Sequence, residues 1–325
     1  MVNASLKHAF ERVPHMSKST AKPVAKSTSR FFPQQLYQRM SDDLHLTGKA
    51  ERTRRGYLRE VRKLAEYCRH SPDQITENQL RRYFLHLKNE QHLAYGSLRV
   101  ALSGVKFFYS VTCKRDWSIF AMLKLQNITA LPEVLTIKQV HQIVNATTTQ
   151  RMHTYFWTVY SMGLRLNEGL HLQVGDIDAA RGLVHIHRGK GAKDRYVPLP
   201  TSTLFMLRAY WATHRHKRFL FPADGRNHTL QQDGPSVTKT PMSETAVQGA
   251  MKKITQQIDF GKKVHTHTLR HSYATHLLEA GVSLKVIQKY LGHSSLQTTM
   301  VYLHLTDMAE ADSRKVIERL FRRRP

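Results

Sequence analysis

The 325-residue sequence is short of acidic residues and of cysteine. Its 24 aspartates and glutamates stand against 50 lysines and arginines, which leaves a net charge of +26. Such an excess favours polyanionic partners, either nucleic acid or an acidic membrane surface, over small-molecule metabolism. The two cysteines, Cys68 and Cys113, are too few for a disulfide framework or a cysteine zinc site. We expect both to be core thiols in a reducing compartment.

Long apolar runs are also missing. No stretch approaches the roughly 20 consecutive apolar residues that span a bilayer, and the N-terminus lacks the apolar segment of a secretory signal. We therefore expect a cytoplasmic protein. A hydrophobic content of 41% with 13 Phe and 13 Tyr is sufficient for packed cores. The length suggests about two domains.

The positive charge is spread along the chain. The net charge is +5 over residues 1–30, +8 over residues 31–130 and +13 over residues 131–325. Residues 1–32 lack apolar periodicity and are predicted to form a flexible basic arm. Because both regions that follow are also basic, the charge is a property of the folded domains and not of one tail.

A helical domain is predicted for residues 33–128. Its clearest helix, over residues 51–69, has apolar residues on one side: Tyr57, Val61, Leu64, Ala65 and Cys68. The opposite side carries five basic residues that are predicted to contact DNA phosphates: Arg52, Arg55, Arg59, Arg62 and Lys63. The alternative for this stripe is a merely solvated charged face. A capping box at Thr76 with Gln79 predicts the start of the next helix.

A second domain is predicted over residues 129–325, in which helices are mixed with a small β-hairpin. A capping box, Thr136 with Gln139, predicts its first helix. Residues 183–186 and 195–199 are predicted to be the two strands, joined by a turn that contains Lys190. The predicted fold class is therefore mainly α with a small β-sheet, in two domains.

Four separated segments of this second domain concentrate cations and groups that transfer protons. They contain Arg165, Lys190 between two glycines, the run from His267 to His271, and His293 followed by Tyr302. Two arginine forks can bind the non-bridging oxygens of a phosphodiester. Lysine and histidine can transfer protons, and tyrosine can attack phosphorus.

In this order the segments resemble the tyrosine recombinase family of phage integrases and Xer-like proteins. The family pattern is Arg, Lys on a β-hairpin, His-x-x-Arg, His, and a tyrosine nine residues after the last His. It is matched by Arg165, Lys190, His267, Arg270, His293 and Tyr302. The resemblance covers about residues 35–305. It implies a core-binding, SAM-like domain and a catalytic domain that together grip the DNA duplex as a clamp.

The resemblance also implies a reaction and a role for each matched residue. Tyr302 would be the nucleophile in site-specific breakage and rejoining of double-stranded DNA, through a covalent 3′-phosphotyrosyl intermediate without metal or ATP. Arg165 and Arg270 would stabilise charge on the phosphate, and Lys190 would protonate the leaving 5′-oxygen. His267 would act as general acid or base, and His293 would hydrogen-bond the phosphate. The expected assembly is a homotetramer on synapsed DNA, with accessory DNA-binding proteins left open.

Two rival functions stay open. An enzyme like a type IB topoisomerase would relax supercoiled DNA with the same nucleophile. A DNA-binding protein without catalysis would not need Tyr302.

The histidines of the second domain raise the question of a metal. His265, His267, His271 and His276 lie close together in the sequence, but no HExxH arrangement and no cysteine accompanies them. We therefore predict no metal site and no cofactor. His271 is expected to be packed or to face the phosphate, and Glu168 is expected to pair with an arginine.

Overall fold

The computed structural model describes residues 29–123, 131–187, 194–223 and 238–303. Within these ranges the chain is mainly helical with one three-stranded antiparallel sheet, so the predicted fold class is confirmed. The chain divides into two compact units between residues 129 and 130. No helix in the described ranges is long and apolar enough to cross a bilayer. Most of the predicted arm and the predicted turn with Lys190 lie outside the described residues.

The N-terminal unit packs its helices around one apolar core. Its α-helices are α1 (Gln34–Leu46), α2 (Glu51–Cys68), α3 (Glu77–Asn89), α4 (Tyr95–Phe107) and the short α5 (Ile119–Met122). A π-helical turn, Phe108–Thr112, follows α4 directly. Within it Tyr109 is buried, and its hydroxyl donates to the Pro72 carbonyl at 2.7 Å. This bond satisfies the polar end of an otherwise apolar core residue.

The N-terminal core begins before residue 33. Phe32, which the sequence assigns to the arm, is buried and packs edge-on against Phe108 with ring centroids 6.2 Å apart. The reason is the large apolar area of the aromatic ring, which favours burial even next to a polar segment. Cys68 and Cys113 are free thiols, half-buried at the margin of the same core.

The second unit is organised around a central helix. Its α-helices are α6 (Ile137–Asn145), α7 (Gln150–Ser161), α8 (Leu166–Leu170), α9 (Thr201–His214), α10 (Glu244–Gln257), α11 (Thr266–Glu279), α12 (Leu284–Leu291) and α13 (Gln297–Met300). Helix α7 contacts α6, α8, α9 and α11, and its Tyr155, Phe156 and Val159 are fully buried. The core of this unit therefore lies around α7.

Both predicted capping boxes are confirmed. Thr76 accepts a hydrogen bond from the Gln79 amide, and the Gln79 side chain accepts one from the Thr76 amide. Thr136 and Gln139 make the same reciprocal pair at the start of α6. Each pair satisfies two amides that have no partner inside the helix.

The sheet consists of β1 (Ile177–Asp178), β2 (Leu183–Ile186) and β3 (Arg195–Pro198), in that spatial order. In the register between β2 and β3, His185 pairs with Tyr196 and Ile186 pairs with Arg195. The predicted strands are confirmed, except that β3 ends at Pro198. Proline has no amide donor for the ladder, which explains why the strand stops there on an edge of the sheet.

Candidate active site

Helix α11 brings three polar side chains to one face. His267, Arg270 and His271 are spaced i, i+3 and i+4, so they project from the same side of the helix. The rings of His267 and His271 are nearly perpendicular, with centroids 4.6 Å apart. Arg270 is only 1% exposed. Helix α11 therefore places one guanidinium cation and two imidazole rings side by side on the same face.

The buried guanidinium of Arg270 is held by backbone carbonyls. It donates to the carbonyls of Gly163 at 2.7 Å and Leu291 at 2.6 Å, and one of its nitrogens lies 3.2 Å from Nε2 of His293. Burial, followed by the charge of Arg165, lowers the pKa of Arg270 to about 9. The group stays cationic at neutral pH, and its hydrogen bonds offset the cost of burying it.

Two glycines permit the close packing around this cation. Gly163 has a φ of +59°, and a Cβ there would lie 2.4 Å from Cδ1 of Tyr273. Gly292 ends α12 with a φ of +62°, and a Cβ there would lie 2.9 Å from Cδ of Arg195. Both positions have a left-handed backbone and no room for a Cβ atom. Glycine is the residue that tolerates both conditions.

Glu168 joins the arginines into one network. Its two oxygens accept from Arg165 at 2.7 Å and from both terminal nitrogens of Arg195 at 2.9 and 2.7 Å. Arg270 lies 3.7 Å away. Burial alone would raise the pKa of the Glu168 carboxyl, but the bonds and charge of Arg195, the Arg165 amide and the charge of Arg270 lower it to about 2. The predicted pairing of Glu168 with an arginine is confirmed.

Arg195 is a member of the network that sequence reasoning missed. It is the first residue of β3, and its Nε donates to the Tyr290 carbonyl at 2.7 Å. Its carboxylate partner Glu168 is 27 residues away in the chain, and no local pattern connects a strand residue to α8. Arg195 therefore ties the hairpin to α8 and to the end of α12.

Tyr302 lies just after α13 and is 2% exposed. Its hydroxyl is 3.0 Å from Nδ1 of His271, and its ring is nearly parallel to that of His293 at 6.4 Å. Burial raises the pKa of Tyr302, while the charges of Arg270 and Arg165 act in the opposite direction. At neutral pH Tyr302 is therefore a phenol that requires a proton acceptor before it can act as a nucleophile.

The histidines around Tyr302 are neutral at pH 7. Burial, followed by the charges of Arg270 and Arg165, lowers the pKa of His267 to about 4 and that of His293 to about 3. Burial, followed by the proximity of His267 and Arg270, lowers the pKa of His271 to about 4. Each neutral imidazole has one nitrogen that can accept a proton.

The sequence predicts that His271 is packed or faces the phosphate. In the structure it lies against the ring of Tyr302, with ring centroids 5.7 Å apart. Of the histidines on α11, it is the one whose ring nitrogen meets the hydroxyl of Tyr302. Its spacing of four residues from His267 was the signal that could have found it, because that spacing places both rings on one helix face.

The structure thus brings together five of the six predicted catalytic residues: Arg165, His267, Arg270, His293 and Tyr302. Lys190 lies in the segment 188–193, outside the described residues. Arginine forks beside neutral imidazoles and a phenol can bind a phosphodiester, stabilise added negative charge and form a phosphotyrosyl ester.

In the N-terminal unit, the predicted basic stripe lies on α2 opposite its buried Val61, Leu64 and Ala65. Four of its members are exposed and one is half-buried: Arg52, Arg55, Arg59, Lys63 and, half-buried, Arg62. The structure also shows a buried carboxylate on the same helix. Glu60 is 4% exposed and accepts hydrogen bonds from Arg59 at 2.9 Å and Lys63 at 3.4 Å.

Comparison with known proteins covers both units. The Phage integrase family model matches residues 133–308, and the model of the phage integrase N-terminal SAM-like domain matches residues 36–119. A candidate integrase/recombinase of Sinorhizobium fredii, y4qK, is 37% identical over 271 residues, which are 83% of this chain and 84% of that protein. The tyrosine recombinase XerA of Thermococcus kodakarensis is 30% identical over 295 residues, 89% of this chain and 98% of that protein.

Among solved structures, that of a lambda integrase tetramer bound to a Holliday junction is similar to this chain. The TM-score is 0.64 at 14% identity, and the match covers 82% of this chain and 76% of the other. At this identity the likeness shows a shared fold.

Proposed function

Because this chain belongs to the phage integrase family of tyrosine recombinases, we propose that it exchanges DNA strands through a covalent 3′-phosphotyrosyl link to Tyr302, without metal or ATP. The observation that carries the proposal is the position of the Tyr302 hydroxyl. It lies 3.0 Å from a neutral imidazole of His271, and the charges of Arg165 and Arg270 act on it. A phenol so placed has both a proton acceptor and cations to stabilise a bound phosphate.

The first step forms the ester. The Tyr302 oxygen attacks the scissile phosphorus while its proton passes to Nδ1 of His271. The bond from phosphorus to the 5′-oxygen breaks, and that oxygen leaves as a hydroxyl after taking a proton from Lys190. Attack by a second 5′-hydroxyl reverses these transfers, releases Tyr302 and rejoins the DNA. The ester retains the energy of the phosphodiester bond, so no ATP is consumed.

The buried arginines supply the electrostatic part of the reaction. Arg165 and Arg270 bind the non-bridging oxygens and stabilise the charge that develops on the pentacoordinate phosphorus. Glu168 holds both guanidinium groups in place, since it accepts from Arg165 at 2.7 Å and lies 3.7 Å from Arg270. His293 donates to the phosphate, and His267 acts as general acid or base at the same centre.

DNA affinity comes largely from exposed cations. The basic stripe of α2 contacts phosphates of the duplex, and cations of the second unit contact the DNA as well. Strand exchange takes place in a homotetramer of this chain, an arrangement supported by the tetramer that lambda integrase forms on a Holliday junction.

The proposal is tested by trapping the adduct. The full-length protein is incubated with genomic DNA of its source cell, denatured in detergent, captured, and the attached DNA is sequenced. We expect a denaturation-resistant adduct at defined sequences. Tyr302→Phe should abolish it, whereas Tyr196→Phe, which changes an exposed tyrosine of β3 in the same unit, should not.

Three results would contradict the proposal. An adduct that survives in Tyr302→Phe would place the nucleophile elsewhere, and the absence of any adduct would favour DNA binding without catalysis. Efficient relaxation of an arbitrary supercoiled plasmid would instead support a topoisomerase.

A further inference from the structure

A cluster of metal-type ligands lies at the open ends of β2 and β3. His185 belongs to β2, His187 follows its last residue, and Asp194 directly precedes β3. Continuing the register of the two strands places His187 opposite Asp194, with His185 two residues back on the same face. Their side chains therefore converge although up to nine positions separate them in the chain.

The separations match those expected around a zinc ion. Nε2 of His185 lies 3.2 Å from Oδ2 of Asp194, and Nδ1 of His187 lies 3.7 Å from the same oxygen. One ligand atom from each residue lies within 4.8 Å of the others. Ligands bound to tetrahedral zinc at about 2.0–2.1 Å are about 3.3 Å apart. The two separations from Oδ2 of Asp194, 3.2 and 3.7 Å, are close to the edge of such a tetrahedron.

A supporting residue orients the His187 ring. Nε2 of His187 lies 2.6 Å from Oδ1 of Asp176, whose side chain is 7% exposed. A carboxylate that accepts the Nε2 hydrogen leaves the Nδ1 lone pair directed at the metal position, and it makes that nitrogen more basic. Asp176 is itself held in place because it accepts from the Gln173 amide at 2.8 Å.

The His185 ring is also held. It stacks on the ring of Tyr196, with centroids 4.7 Å apart and an interplanar angle of 16°. Both imidazoles are therefore oriented by contacts that do not require a metal. Such preorganisation reduces the cost of forming the site.

Although the sequence predicts no metal site, we propose that His185, His187 and Asp194 bind Zn²⁺, with water as the fourth ligand. Two imidazole nitrogens favour zinc over Mg²⁺ and Ca²⁺, which take oxygen ligands. In the chain, residues 188–193, which include Lys190, connect β2 to β3. The ion joins the two strand ends that flank this segment. Its role is to stabilise the hairpin, and it supplies no group to the proposed strand exchange.

Metal binding is measured on the full-length protein after treatment with a chelator. We expect one equivalent of Zn²⁺ to bind in competition with a chromophoric chelator, and Mg²⁺ not to compete. Co²⁺ in place of zinc should give the visible absorption of a tetrahedral site. Zn²⁺ should raise the Tm of the second unit, and chelation should reverse the rise.

Variants separate this site from the other histidines of the chain. His187→Gln and Asp194→Asn should remove the tetrahedral Co²⁺ spectrum, and Asp194→Asn changes a side chain that is 48% exposed without changing its size. Asp176→Asn should weaken Zn²⁺ binding about tenfold to a hundredfold, since it alters only the supporting residue. His171→Gln, at an exposed histidine of the same unit, should change nothing.

The outcome that overturns the proposal is a protein that binds no Zn²⁺, or one whose Co²⁺ spectrum is the same in His187→Gln and Asp194→Asn as in the unaltered chain. The three side chains would then form only histidine–aspartate ion pairs. Neither result depends on whether a DNA adduct forms, so the metal site and the proposed recombination can fail separately.

Discussion

Arginine serves two different purposes in the two units of this molecule. In the second unit, Arg270 is 1% exposed and donates to two backbone carbonyls, and its position is defined by the fold. In the N-terminal unit, Arg55 of α2 is 75% exposed and has a surface carboxylate, Glu51, 3.2 Å away. The fixed guanidinium of Arg270 can bind a phosphate at one defined position. The exposed side chain of Arg55 can contact phosphates of a duplex of any sequence.

In the second unit a single carboxylate serves several arginines. Glu168 is placed where one carboxylate can hold Arg165 and Arg195 and lie near Arg270. Charges in such a buried network are screened little by salt, while exposed cations lose most of their attraction to phosphate as salt rises. The net charge of +26 therefore contains two populations with different physical behaviour.

Removing the buried guanidinium of Arg270 should change the rate of the reaction most. Arg270→Ala should slow formation of the DNA adduct about a thousandfold, because it deletes one of the two groups proposed to stabilise the phosphate. Duplex affinity at the same salt should change little. Single-turnover adduct formation and equilibrium DNA binding measure the two quantities. Arg270→Lys retains the charge but lacks the planar fork, and we expect a similar loss of rate.

An Arg270→Ala protein that loses affinity as much as rate would mean that the buried arginine serves binding in the same way as the exposed ones. Circular dichroism on each variant checks that the fold is retained.

The second effect concerns stability and pH. The pKa of Glu168 is about 2 in the folded chain, compared with its usual 4.5. Because the folded pKa is lowered, the carboxylate stabilises the fold above about pH 4.5, and this contribution is lost as the pH falls toward 2. The difference corresponds to about 3 kcal/mol of unfolding free energy. Glu168→Gln should therefore be destabilised at pH 7 and lose less further stability in acid.

Urea unfolding at neutral and acidic pH measures this contribution. Glu66→Gln removes the same charge from an exposed position of α2 and should shift the unfolding free energy by well under 1 kcal/mol. Equal destabilisation of the two variants would show that the network around Glu168 is no more than a surface ion pair.

Features with a local signal were predictable from the sequence. The two capping boxes follow from a threonine and a glutamine three residues apart, as at Thr76 and Gln79. The amphipathic pattern of α2 and the strands of the hairpin follow from residue periodicity. The candidate catalytic residues were found because a family pattern records their spacing, which periodicity alone does not reveal.

The parts that could not be predicted are contacts between distant segments. Arg195 meets Glu168 across 27 residues, and His271 meets Tyr302 across 31. No local rule predicts which tyrosine a histidine contacts or from which arginine a carboxylate accepts a hydrogen bond. These contacts depend on how α8, β3, α11 and α13 pack. Glu60 on α2 is a similar case, since a carboxylate among charged neighbours gave no signal that it is buried.

His271 is the group proposed to accept the proton of Tyr302. His271→Asn can keep a hydrogen-bond acceptor near Tyr302 but cannot take its proton, so cleavage should slow about a hundredfold. Because the pKa of His271 is about 4, the unaltered chain should keep its cleavage rate as the pH falls from 7 to about 5 and lose it as the pH passes through 4.

A second histidine–tyrosine pair on the same helix provides the control. Nδ1 of His276 lies 2.8 Å from the hydroxyl of Tyr160, a contact of the same kind that does not involve the hydroxyl of Tyr302. His276→Asn should leave the cleavage rate unchanged. If His271→Asn cleaves as fast as the unaltered chain, His271 packs against Tyr302 without accepting its proton.

Removing one exposed arginine of α2 should change DNA binding only slightly. Arg55→Ala should weaken binding to an arbitrary duplex only a few-fold, and should reduce the slope of log affinity against log salt by about 0.9, the value for one phosphate contact. Stability should change by less than about 1 kcal/mol because the pair with Glu51 is solvent-exposed. Arg81→Ala, at an exposed arginine of α3, is the control and should leave the slope unchanged. Equal slopes for Arg55→Ala and the unaltered chain would mean that α2 is a solvated face, and that the duplex is held elsewhere.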